Sequence, residues 1–142
     1  MAFTSVDPKR QTFSDKVILL VMWLCPVVSI LGNGATYLYA LDDSVNTTGI
    51  AMLAVGSLFI VIGNYMPKMK QSYTIGIKIP WTLDSEENWN RTHRLAGYMF
   101  MLGGMLIIIS TFIQQFWLVP VSMVFIVFVP MVYSFILYKR GI

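Results

Sequence analysis

From Val17 to Ala40 the chain runs for 24 residues without a charged side chain. A helix needs about 20 predominantly apolar residues to cross roughly 30 Å of hydrocarbon. No soluble fold readily buries such a stretch on all sides. Three further runs have the same character, and the expected spans are 17–40, 47–65, 95–113 and 117–138. Only 12% of the residues are charged and 56% are hydrophobic, where a soluble domain carries about 25% charge. The first run lacks the small-residue cleavage site of a signal peptide and is too long for one. The reading is one all-α domain over 1–142, an integral membrane four-helix bundle. A short interfacial helix is expected in the loop 66–94, between spans two and three.

Charge then orients the chain. Lysine and arginine resist translocation, so loops rich in them stay inside. Lys9, Arg10 and Lys16 precede the first span, and Lys139 and Arg140 follow the last. Lys68, Lys70, Lys78, Arg91 and Arg94 lie between spans two and three. These are all ten basic residues. The other two connections carry only Asp42 and Asp43. The expectation is therefore a multi-pass protein of the cell membrane with a cytosolic 1–16 segment, a cytosolic loop and a cytosolic C-terminus. Tyr37, Tyr39, Phe116 and Trp117 fall at the outer boundary, and Tyr65, Trp81 and Tyr138 at the inner one, where amphipathic rings prefer to sit. The formal net charge of +3 follows from this topology and does not point to nucleic acid. The lone Cys25 forms neither an intramolecular disulfide nor a structural metal site.

Within the bilayer, small residues let helix backbones approach. Gly49, Gly56 and Gly63 recur every seven residues in span two, as do Gly97, Gly104 and Thr111 in span three. Spans two and three are expected to pack antiparallel along these strips. Pro26, Pro120 and Pro130 predict kinks, and Asn33 predicts an interhelical hydrogen bond. No acidic or basic residue lies within a span core, which argues against a proton-coupled transporter.

The loop is the informative stretch. Its first half reads as irregular, broken at Pro67, Gly76 and Pro80. Its second half reads as a helix with Thr82 or Asp84 at the N-cap, running along the inner surface or straight into span three. Trp89, Thr92, His93 and Ala96 share one face of that helix. A zinc protease motif needs two histidines, and only His93 is present. Thr92 and His93 are adjacent, about 100° apart on a helix, and supply no triad. No Gly-Lys-Ser/Thr phosphate loop occurs. No catalytic set, cofactor or metal is therefore expected. His93 is read as a structural hydrogen-bonding residue at the membrane interface, Trp81 and Trp89 as interface anchors, and Lys68 and Lys70 as neighbours of lipid headgroups.

Three segments of this loop resemble the signature of the SdpI family of bacterial membrane immunity proteins. They are Gly63-Asn64-Tyr65-Met66-Pro67-Lys68, Gly76-Ile77-Lys78-Ile79-Pro80-Trp81-Thr82-Leu83 and Trp89-Asn90-Arg91-Thr92-His93-Arg94. The family pattern has arginine and threonine where this chain has Lys78 and Ile79. Lysine keeps the charge but loses the forked donor geometry of arginine. The resemblance marks Gly63, Asn64, Pro67, Lys68, Gly76, Lys78, Pro80, Trp81, Thr82, Trp89, Thr92, His93 and Arg94 as candidate functional residues. It implies protection of a producing cell from a secreted peptide toxin, and the mechanism expected here is binding of that peptide in or at the membrane. It also implies an alternative, in which the cytosolic loop captures a transcriptional repressor. A small transporter is the third reading. The Asp42–Asp43 pair is a place where a cationic peptide could be attracted.

Overall fold

The computed structural model describes residues 15–41, 46–71, 76–115 and 117–142. Among them every regular element is helical. The elements are α1 (Asp15–Leu41), α2 (Thr47–Tyr65), a 3₁₀ turn (Met66–Lys68), α3 (Pro80–Asp84), α4 (Glu86–Ile113) and α5 (Leu118–Lys139). By length and composition α1, α2, α4 and α5 are the four helices able to cross a membrane, and the protein is a multi-pass membrane four-helix bundle. Asp42, Asp43, Phe116, Lys9 and Arg10 lie outside the described residues.

The main assembly is α2 against α4 against α5. The small-residue strips explain the first contact. A Cβ on Gly56 would stand 2.8 Å from the Gly104 carbonyl oxygen, and one on Gly63 would stand 2.7 Å from that of Gly97. The expected strip holds over these two pairs. It does not extend to Gly49, whose close neighbour is the Asn46 side chain. Asn46 caps α2 by accepting the Gly49 N–H at 2.9 Å. Gly103, on another face of α4, faces Ile126 and Ser122 of α5 and brings that helix in. In lipid, such close approach replaces the hydrophobic effect as the source of association.

Three further expectations are corrected. Asn33 donates to the Ser29 carbonyl at 2.8 Å and to the Ser29 hydroxyl at 3.2 Å. Its bonds stay inside α1, because the helix around it leaves the i−4 carbonyl within reach. Pro120 falls in the first turn of α5, where no intrahelical partner is lost; Pro26 and Pro130 alone lie inside their helices. The interfacial helix is not a separate body containing Trp89 and His93. Ser85 breaks the chain, capping α4 by accepting the Asn88 N–H at 3.2 Å, so Ser85 holds the N-cap expected of Thr82 or Asp84. From there α4 runs unbroken into the membrane. Glu86 and Glu87 occupy its first turn, where the helix dipole favours negative charge. The separate short helix is α3, only five residues long.

Candidate functional site

The loop between α2 and α4 folds onto the hydrophilic start of α4. Residues 86–94 carry Glu86, Glu87, Arg91 and Arg94 and precede the charge-free stretch that begins at Leu95. This part of α4 therefore stands outside the hydrocarbon. Its buried face consists of Asn88, Trp89, Thr92, His93 and Ala96, the i, i+4 pattern of a helix face.

Trp89 and His93 form the centre. Both have no accessible surface, and their rings stack with centroids 4.0 Å apart at 19°. The Trp89 indole Nε1–H donates to the Met69 carbonyl at 2.9 Å, across 20 residues of sequence. The Ile77 backbone N–H donates to His93 Nε2 at 3.0 Å. Nε2 must then be the unprotonated nitrogen, so Nδ1–H donates to the Trp89 carbonyl at 2.9 Å. Burial lowers the imidazole from its ordinary value of 6.5 to about 4, against the smaller raising effect of the hydrogen bond to the Trp89 backbone. With both nitrogens engaged, the ring is a neutral clasp for the loop and has no lone pair left for base chemistry.

Gly76 completes the clasp. Its φ of +118° lies where an L side chain is strained. A Cβ there would stand 2.6 Å from His93 Nε2 and 2.7 Å from the Trp89 ring. The loop backbone can reach the imidazole only because this position has no side chain. Trp89 is thus not the interface anchor expected of it. Its ring is wholly enclosed by the loop that it holds.

Thr82 and Gln71 build the neighbouring turn. The Thr82 hydroxyl accepts the Ile79 N–H at 3.0 Å. Its single proton goes to the carbonyl of Ile77 or Ile79, at 2.9 and 2.8 Å. Pro80 opens α3, where a missing N–H costs nothing. Gln71 Nε2 donates to the carbonyls of Thr82 and Leu83 at 2.9 and 2.6 Å, satisfying the end of α3. Trp81 leans on α5, with centroids 5.5 Å from Phe135 and 5.9 Å from Tyr138. Its Nε1 is the one buried side-chain polar atom among the described residues without a hydrogen-bond partner.

On the far side of α4, Asn88 ties the site to α5. Its Nδ2 donates to the backbone carbonyls of Ser134 and Ile142 at 3.1 and 3.3 Å. Its Oδ1 accepts from the hydroxyls of Thr92 at 3.0 Å and Ser134 at 2.7 Å. All four bonding positions of the amide are used.

The structure therefore brings Gly76, Thr82, Trp89 and His93 together in the clasp, while Thr92 bonds to Asn88 on the side facing α5. It seats Gly63 and Pro67 against Gly97, with the Pro67 Cδ 2.9 Å from a Cβ at that glycine. Asn64, Lys68, Lys78 and Arg94 are apart from the unit and exposed. Lys68 places its ammonium 4.8 Å from the Tyr65 ring centroid. Asn88, Gln71 and Ser134 escaped the sequence reading. Asn88 carried a usable signal, since it lies four residues before Thr92 on the same face. Gln71 and Ser134 carried none. Among the described residues no three His, Cys, Asp or Glu side chains converge as a metal site would require.

Four apolar helices, with a polar loop clasped to the third, define a multi-pass membrane protein whose loop is held by buried hydrogen bonds. The match with known proteins falls on this same clasped region. Residues 68–134 match the SdpI/YfhL protein family. The chain is 30% identical over 92 residues to the immunity protein SdpI of Bacillus subtilis (strain 168), an alignment covering 65% of this chain and 44% of that protein. Over these residues the chain is similar to the SdpI family. It spans less than half the length of that curated relative. No solved structure matches.

Proposed function

We propose that this chain is a non-enzymatic immunity protein of the bacterial cell membrane, which protects its producer by binding a secreted peptide toxin in or at the bilayer. The observation that carries this reading is the 30% identity with a protein named for immunity. The geometry supports it in two ways. The motif residues Gly76, Thr82, Trp89 and His93 are engaged in holding the loop and the Thr92 hydroxyl is bonded to Asn88, which leaves no nucleophile–base set among them. Beside α1, by contrast, the bundle is loosely filled. An apolar crevice of about 390 Å³, lined by residues including Trp23, Val27, Leu58 and Val61, opens between α1 and α2. A second of about 140 Å³ lies further along the same seam, between Gly32, Ala35, Ala51 and Ala54. An apolar peptide enters this seam from the membrane. The cytosolic placement of the termini and of the loop belongs to the same proposal and rests on the distribution of basic residues.

The test is deletion of the gene in the producing strain, followed by complementation. Deletion should make the strain sensitive to its own peptide, and the wild-type chain should restore protection. Ala35→Trp with Ala54→Trp should fill the seam and abolish protection at normal membrane levels. Full resistance after deletion would overturn the immunity reading.

A second reading is capture of a cytosolic repressor, favoured by the exposed Lys68, Lys78 and Arg94 on the loop side. Charge reversal at these three positions should then abolish recruitment without affecting membrane insertion. Unchanged recruitment would rule out electrostatic capture here.

A further inference from the structure

A polar hollow of about 330 Å³ lies beside the clasp, lined by Pro67, Asn90, Arg91 and Arg94. This is the size of an ordinary small-ligand cleft, about 300–1,000 Å³. Arg91 and Arg94 are three residues apart and project from neighbouring positions on one helix face. The depth of the hollow follows from the glycine contact beneath it. Gly63 and Gly97 meet backbone to backbone, which sets α2 and α4 level at that point. Pro67 is one turn beyond Gly63, and Arg94 is about one turn before Gly97. Leu95 then begins the charge-free stretch. Two guanidinium groups thus flank a cleft at the boundary of the hydrocarbon, where phospholipid phosphates lie. Lys68, held over Tyr65, adds a cation on the same turn as Pro67. Among the described residues, the one carboxylate paired with a lining side chain is that of Glu87, which forms an ion pair with Arg91.

We propose that this hollow binds a phosphate group carried by an anionic phospholipid headgroup. Arg94 supplies the free guanidinium and Asn90 a neutral donor, while Arg91 exchanges Glu87 for the phosphate oxygens. Guanidinium and phosphate match in geometry, with two parallel N–H donors meeting two oxygens. The site is independent of the immunity reading and exists whether or not a toxin is recognised.

The experiment is calorimetric titration of the full chain, purified in the uncharged detergent dodecyl maltoside, with dioctanoylphosphatidylglycerol. Dioctanoylphosphatidylcholine and inorganic phosphate serve as separate probes. Arg94 is exposed, so Arg94→Gln disturbs no packed group. It should weaken phosphatidylglycerol binding by about tenfold or more, the loss expected for a charged hydrogen-bonding partner. Glu87→Gln should tighten binding by releasing Arg91. Lys139→Gln, the same charge change at the end of α5, should leave binding unchanged. Equal binding by wild type and Arg94→Gln, or phosphatidylcholine binding as tight as phosphatidylglycerol, would overturn the site. Inorganic phosphate binding as tightly as the lipid would overturn the lipid as its source.

Discussion

Helices α1 and α4 are both long enough to cross a bilayer, yet they take part in the fold very differently. No residue of α1 from Ile18 to Leu41 is buried, and the helix leans chiefly on α2. Nothing lies within 4 Å of where a Cβ would sit on Gly32 or Gly34. In α4, ten residues are buried, among them Gly97, Gly103 and Gly104, and the same helix contacts α2, α3 and α5. Apolarity carries a helix into lipid but gives it no partner there. Assembly comes from missing side chains at the crossing points and from polar atoms that can be satisfied only by a neighbour.

This contrast can be broken most sharply at Gly76. Gly76→Val places a β-branched residue at φ +118° and drives its Cβ into the His93 ring. The strain alone costs about 1–3 kcal/mol, and the lost clasp adds to it. The 66–94 segment should become a site of rapid proteolysis while the four spans remain inserted.

Acid should act on the same clasp by another route. His93 falls from 6.5 to about 4 on folding, so between these values the unfolded chain binds a proton that the folded chain does not. Stability is then complete above pH 6.5, declines as pH falls towards about 4, and loses up to about 3 kcal/mol. Melting in detergent across pH 4–7 checks this, and His93→Gln should flatten the profile.

Asn88→Ala should cost about 1–3 kcal/mol, the penalty for leaving buried partners unpaired. It should free α5 from the start of α4 without releasing the Ile77 contact. Smallest of all, Gly32→Ala and Gly34→Ala should leave the melting temperature nearly unchanged. A loss there comparable to that of Gly76→Val would mean that α1 belongs to the packed assembly and would erase the contrast.

How much of this was legible in the sequence follows the same physics. The spans were legible because absence of charge over about 20 residues has one cheap explanation. The Gly56–Gly104 and Gly63–Gly97 contacts were legible because a seven-residue spacing keeps small residues on one face. The end of the strip at Gly49 was not, since a glycine required by its own cap looks the same in sequence as one required by a partner helix. The two loop tryptophans were indistinguishable by composition. Only the fold shows that Trp89 is enclosed while Trp81 rests on α5. The Asn88 amide was hidden because its partner Ser134 is 46 residues away. Gln71 reaches α3 across a connection with no periodicity to read.

The loop between α2 and α4 is a folded part of the bundle, fixed to α4 through the Ile77–His93 hydrogen bond. Amide hydrogen exchange at Ile77, in the full chain in lipid nanodiscs, tests it directly. Strong protection is expected in the wild type and its loss in His93→Ala, with exchange across Leu102–Ile109 unchanged. Ile77 exchanging in the wild type at the rate of an unstructured peptide would contradict it.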